Sequence, residues 1–255
     1  MLASLFVLST PLSEMSARRL ILVRHGAVSR QPRASWPGAS QIPVKDGAFY
    51  GSNFDVPLSA RGEAEAAAAA AHIASVHPQE VCAVWSSTMS RAKYGAHCIA
   101  KAVGVDGVAE YDAFRELDRG LWANKTVAEV EAEFGGPGVC DRCAREDDFG
   151  RRVAKGEGMG DLRKRVLDQR DALLGSVPPG RAAVIVSHLW VTRALIGDVT
   201  GERDPLAIDI PTASVSVVDY PADGGAPTVV STGFKPALSK EDEERLANVK
   251  LEAET

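Results

Sequence analysis

The chain has 255 residues, a formal net charge of −5 and 45% hydrophobic residues. That length supports one large α/β domain with a full core, and the acidic balance argues against general affinity for nucleic acid or an anionic membrane surface. Four cysteines are too few for a disulfide scaffold, and no apolar run reaches the length of a membrane span, so a cytoplasmic protein without nucleic-acid or membrane partners is expected.

Residues 1–17 hold a short apolar stretch without a positively charged leader. They read as a dispensable N-terminal extension, with organelle targeting as the lesser alternative. The domain proper is expected over 18–235 and a charged tail over 236–255. Residues 19–23 form an apolar run ending at Arg24-His25-Gly26, the pattern of a buried strand entering a turn. The Gly, Pro and Ser of residues 27–58 predict a long loop, and long loops inside compact domains are usually functional.

Ser59 caps an Ala-rich helix that stops at Pro78. A second buried strand over 81–85 ends at Ser86-Ser87, and a helix over 89–103 stops before Gly104. A weaker strand follows near 107–112. Thr126 and Glu129 have the spacing of a capping box for a short helix over 126–134. Residues 135–160, rich in glycine and charge, read as a loop or insertion. It contains Cys140-Asp141-Arg142-Cys143, a C-x-x-C that no second ligand pair accompanies, so zinc is not expected and a solvent-side loop is the preferred reading.

Leu162, Val166 and Leu173 share one face of a helix over 160–174. Residues 182–187 are the clearest parallel-type strand, and His188 follows it. A helix over 190–200, strands near 213–219 and 227–232, and a tail helix capped by Ser239 and Asp242 complete the chain. Alternating strands and helices predict an α/β fold with a mostly parallel sheet. In such sheets sites form at the C-terminal ends of strands.

Those ends carry Arg24-His25-Gly26, Ser86-Ser87 followed by Arg91, and His188. A neutral imidazole is a competent nucleophile toward phosphorus. Guanidinium forks match phosphate oxygens in pairs, and fixed positive charge stabilises the phosphoryl transition state. Gly26 is expected to let the backbone approach a ligand closely.

Five segments in order then resemble the histidine phosphatase superfamily, the phosphoglycerate-mutase-like fold: Leu20-Ile21-Leu22-Val23-Arg24-His25-Gly26; Asp55-Val56-Pro57-Leu58-Ser59 with Gly62; Ser86-Ser87 with Arg91-Ala92; Arg115-Glu116-Leu117-Asp118-Arg119-Gly120; and Ser187-His188 with Arg193-Ala194-Leu195. The resemblance covers roughly residues 19–220 and implies a three-layer αβα sandwich. It implies His25 as the nucleophile, Arg24, Arg91 and His188 as phosphate ligands, and Glu116 as general acid and then base, with Asp118 as its rival. No cofactor or metal is implied.

The sequence departs from that pattern at Leu189 and Trp190, where relatives often carry glycines, and after Gly120. Its Ala27-Val28-Ser29-Arg30 is unlike the mutase branch. The expected activity is therefore a phosphatase for a small phosphomonoester, of sugar, polyol or carboxylic-acid type. A phosphoglycerate-type mutase and a catalytically weak phosphate-binding module are the alternatives. Arg30, Tyr50, Trp122, Leu189 and Trp190 are the expected pocket walls, with Arg33 or Lys45 as further basic groups. The oligomeric state is left open.

Overall fold

The structure, a computed structural model, describes residues 17–33, 36, 39–40 and 42–253. The extension expected at 1–17 lies, but for Ala17, outside the described residues. A six-stranded sheet forms the centre, with strands β1 (Arg18–Arg24), β2 (Val81–Ser87), β3 (Ala109–Tyr111), β4 (Ala182–Ser187), β5 (Val215–Tyr220) and β6 (Thr228–Phe234) in the order β3-β2-β4-β1-β5-β6. The β3–β2, β2–β4 and β4–β1 pairs are parallel. The β1–β5 and β5–β6 pairs are antiparallel.

Side-chain alternation along β1 assigns its residues to two cores. Ile21 and Val23 pack toward α1 (Ala60–Val76) and α2 (Ser90–Val103), with Ala69, Ile73, Ala96 and Ile99. Leu20 and Leu22 pack toward α5 (Met159–Leu174) and α6 (Leu189–Thr200), with Leu162, Val166, Val191 and Leu195. β4 is buried at all six positions, as a central parallel strand covered on both faces must be. The result is three layers, helices–sheet–helices.

The helix boundaries follow the capping chemistry. Ser59 accepts a hydrogen bond from Gly62 N at the start of α1, and Gly104 ends α2 in the left-handed conformation. Thr126 and Glu129 close a full capping box on α3 (Val127–Phe134). Ser239 Oγ accepts from Asp242 N at the head of α7 (Lys240–Ala253). Among the described residues no helix is long and apolar enough to cross a membrane.

The 135–160 segment departs from expectation. It forms α4 (Val139–Arg145) and a π-helical turn over Gly150–Ala154. Val139, Cys143, Phe149 and Ala154 join Trp122 and Val130 in a small core of their own. The Gly135-Gly136-Pro137-Gly138 run and the many charges conceal only a few apolar positions, too few for a visible periodicity. Cys143 is accordingly buried and Cys140 half-buried on a helix, which corrects the solvent-side loop reading.

Candidate active site

Because β1, β2 and β4 run parallel, their C-terminal ends open on one edge, where α2 and α6 begin. Helix N-termini carry unpaired N–H groups and a positive dipole end, which favours an anion there. His25 is fixed at this edge through its backbone. Its N–H donates to Ser187 O at 3.0 Å and its carbonyl accepts from Ala213 N at 3.0 Å.

Gly26 serves a different purpose from the one expected. A Cβ there would collide with the Gly62 carbonyl, and a Cβ on Gly62 would collide with Ala27 O. The glycine pair thus lets α1 press against the turn carrying His25. Glu65, buried on α1, reinforces the contact by accepting from Ala27 N at 2.9 Å.

The two imidazoles meet edge to face, with ring centroids 5.1 Å apart. His25 Nδ1 lies 2.7 Å from Gly26 O. A carbonyl can only accept, so Nδ1 carries the proton and Nε2 keeps its lone pair. Burial, then the Arg91 and Arg24 guanidinium groups, hold the His25 pKa well below the usual histidine range. The ring is therefore neutral at pH 7, and its lone pair is free.

His188 is fully buried, and burial, then Arg91, His25 and Arg24, lower its pKa as well. Its Nε2 is 2.8 Å from Ser87 Oγ. Ser87 Oγ already accepts from Met89 N. If it donates its own proton to Nε2, the hydrogen of His188 falls on Nδ1.

Arg91 is a cation with no exposure at all. Its partners are Gly51 O at 2.8 Å, Phe54 O at 3.3 Å, Asp55 Oδ1 at 3.6 Å and the Tyr50 ring at 5.1 Å. Asp55 also accepts from Ser90 N and Ser90 Oγ at 3.0 Å, so one carboxylate caps α2 and steadies the arginine beside it. Arg24 reaches across to Ile210 O at 2.7 Å.

Among the described residues the buried side-chain nitrogens and oxygens without a partner are Arg24 Nε, Arg91 Nε, His188 Nδ1, Trp122 Nε1 and Ser214 Oγ. Three of these belong to residues clustered around His25. Unsatisfied buried donors cost about 1–3 kcal/mol each, so their concentration at one point marks a site for a hydrogen-bond acceptor.

Glu116 is nearly buried and enters from the connection after β3. Its Oε1 accepts from Leu117 N at 3.0 Å and from Trp190 N at 3.2 Å, which places the carboxyl at the start of α6, beside His188. Arg165 braces the segment through Ala113 O at 2.6 Å and Glu116 O at 3.4 Å, and pairs with Glu157. Asp118 is exposed, and its Oδ1 is held by Asn53 Nδ2 at 2.6 Å and Gly120 N at 2.7 Å. It is a loop clasp, whereas Glu116 faces the histidines' edge.

The expected pocket walls divide. Tyr50 lies beside Arg91. Leu189 is half-buried and packs on the main core, and Trp190 is buried with Arg119 and Arg193 over its ring. Trp122 is not a wall: it has no exposure and forms the centre of the small core. Its position after Gly120, inside the motif region, hid that role. Arg30 stands one layer back, donating to Lys45 O and Ala48 O and contacting Tyr50. Arg33 pairs with Glu63, and Lys45 with Glu129.

Asp55, Ser87 and Arg165 had no assigned role in the sequence. Asp55 and Ser87 stood inside motifs. Arg165 is one of several cations on α5 and carried no signal. Among the described residues no group of three or more His, Cys, Asp or Glu is arranged to hold a metal ion.

A model of the histidine phosphatase superfamily (branch 1) matches residues 20–232. No curated protein matches the sequence. Among solved structures, a mycobacterial protein described as hydrolase 2 superposes with a TM-score of 0.74 at 21% identity, over 92% of this chain and 98% of its own. A mycobacterial glucosyl-3-phosphoglycerate phosphatase gives 0.68 at 21% identity, over 86% and 100%. A putative α-ribazole-5′-phosphate phosphatase from Escherichia coli gives 0.65 at 20% identity, over 88% and 100%. The shared fold is phosphoglycerate-mutase-like.

Proposed function

The chain belongs to the histidine phosphatase superfamily, and from that premise we propose that it is a phosphomonoesterase that takes the phosphoryl group of a small metabolite onto His25 and then passes it to water. The observation that carries this reading is the set of buried, unpartnered donors on Arg24, Arg91 and His188 around a neutral imidazole. They match a phosphoryl group, which offers three equatorial oxygens to be held while its bond to the leaving oxygen breaks.

In the first step the His25 Nε2 lone pair attacks phosphorus, and the P–O bond to the alcohol breaks. Glu116 gives its proton to the departing oxygen, since an unprotonated alkoxide leaves poorly. In the second step the Glu116 carboxylate takes a proton from water, and the resulting hydroxide attacks phosphorus. The P–N bond breaks, its electron pair returns to Nε2, and inorganic phosphate leaves. Through both steps Arg24 and Arg91 supply positive charge, and they and the neutral His188 supply hydrogen bonds, none of which needs reorganisation.

The substrate is read as a sugar, polyol or carboxylic-acid phosphate. The names of two structural relatives, a glucosyl-3-phosphoglycerate phosphatase and a putative α-ribazole-5′-phosphate phosphatase, are in keeping with that range. The test is phosphate release from nitrophenyl phosphate and a panel of phosphorylated metabolites, with EDTA present throughout. Turnover is expected to persist in the chelator, because arginines supply the charge a metal would otherwise supply. An inert protein, or activity that EDTA removes and a divalent ion restores, would overturn the reading.

A further inference from the structure

Three arginines around this edge have no carboxylate within ion-pairing distance among the described residues: Arg24, Arg119 and Arg193. Arg24 is accounted for by the phosphoryl group. The other two are not. Arg119, three residues after Glu116, donates no side-chain hydrogen bond among the described residues. Its guanidinium carbon instead lies 4.8 Å from the centroid of the Phe49 ring and 5.5 Å from that of Trp190. Arg193 lies 4.9 Å from the same Trp190 ring, and among the described residues only its Nε is engaged, by Ile208 O at 2.9 Å.

Trp190 connects this pair to the chemistry, because its backbone N–H donates to Glu116 Oε1 and it stands two residues beyond His188. Arg193 is also close to Arg24: Arg24 holds Ile210 O while Arg193 holds Ile208 O, on one short stretch of chain. The Arg119 stem packs against Gly51. A Cβ on Gly51, whose carbonyl binds Arg91, would lie 2.7 Å from Arg119 Cγ.

Both guanidinium groups are half-buried, and the carboxylates that act on Arg193, those of Glu116, Asp209 and Asp204, do so from beyond ion-pairing distance, so neither cation is neutralised by a direct partner among the described residues. Aromatic rings hold each cation in place without consuming its donors. The fork of each guanidinium thus remains free for a planar carboxylate or a phosphate.

We propose that Arg119 and Arg193, gathered on Trp190 beside Glu116, form a second anion subsite, so that the substrate is a phosphomonoester whose alcohol portion carries a further carboxylate or phosphate. This rests on the phosphatase reading and narrows its substrate class. Arg119 and Arg193 are specificity-determining residues. They hold the leaving group's anion while Glu116 protonates its oxygen.

The experiment compares three-carbon phosphomonoesters that differ in the remaining group: glycerol 3-phosphate, 3-phosphoglycerate and glycerate 2,3-bisphosphate. Wild type is expected to prefer an anion-bearing ester over the neutral one by roughly 10- to 100-fold in kcat/KM, the range of one or two charge-assisted hydrogen bonds. Whether the carboxylate or the bisphosphate gains more identifies the anion. Arg119→Met, which keeps the aliphatic stem against the rings, should collapse that ratio toward unity, mainly through KM. Arg119→Lys should restore part of it, since the charge returns without the fork.

A wild-type enzyme that treats the three esters alike, or an Arg119→Met variant that keeps the ratio, would overturn the proposal. Thermal protection of the unmodified protein by 3-phosphoglycerate against inorganic phosphate provides a second readout that needs no turnover. Greater protection by 3-phosphoglycerate, lost in Arg119→Met, supports the subsite even if no ester is hydrolysed. Equal protection contradicts it. Failure of the phosphatase reading alone would appear as absent turnover with nitrophenyl phosphate.

Discussion

The ends of β1, β2 and β4 and the connection over residues 112–160 face the same site, yet they are built on different principles. The strand ends are rigid because each side chain is fixed by a neighbouring strand or helix. His25 is held between Ser187 and Ala213 backbone groups, His188 against Ser87, and Arg91 over Asp55. The connection instead uses 3-10 turns, short helices and a small core around Trp122, and it brings only Glu116 and Arg119 to the edge. The difference separates two tasks. Phosphoryl transfer needs donors held to a fraction of an ångström, which the sheet provides. Choice among alcohols needs a wall whose residues can change without disturbing that frame.

Three substitutions sharpen or break this division. The largest effect is expected at the strand ends. His25→Ala should lower kcat by roughly four orders of magnitude or more, with an unchanged melting temperature and circular dichroism spectrum. A folded variant that retained substantial activity would move the nucleophile elsewhere.

Arg91→Lys comes next. The charge survives but the fork that serves Gly51 O, Phe54 O and a phosphate oxygen together does not, so kcat/KM should fall by roughly 10²- to 10³-fold. Near-normal kinetics would mean that the fork is not required.

Trp122→Ala should show the reverse profile. Removing the centre of the small core costs about 3–5 kcal/mol and should lower the thermal midpoint. Hydrolysis of an activated nitrophenyl ester by the protein that remains folded should fall by only a few-fold. If chemistry collapsed as far as in Arg91→Lys, the connection would belong to the rigid frame after all.

The same division explains what the sequence reveals. β1 and β4 are continuous apolar runs because both of their faces are covered, and such runs are legible without a structure. Ser59, Thr126 and Gly104 mark helix ends through local capping chemistry that no tertiary contact alters. His25, Arg24, Arg91, Glu116 and His188 could be named because they sit inside short ordered motifs, and the fold brings them to one edge.

Legibility fails where structure depends on distant partners. α4 was hidden by the glycines before it, and its buried face exists only against Trp122 and Phe149. Gly26 was read as making room for a ligand, but its neighbour is Gly62, 36 positions away in the chain. Asp55 and Arg165 act on residues far from them in sequence, and nothing local announces such pairs. Arg119 carries no local signal, because the rings that hold it lie at positions 49 and 190.

The central claim is that the phosphoryl group rests on His25 Nε2 while Glu116 moves the protons. The most direct test uses Glu116→Gln with nitrophenyl phosphate, a substrate whose leaving group needs little protonation. The first step should then proceed while the second, which needs a base for water, slows. Rapid quenching and mass spectrometry should find one phosphoryl group on His25, stable in base and lost in acid, accumulating to a large fraction of the enzyme. Asp118→Asn, treated identically, should turn over without accumulation, since Asp118 is occupied by Asn53 and Gly120. A burst of nitrophenolate with no covalent adduct, or an adduct on another residue, would contradict the account.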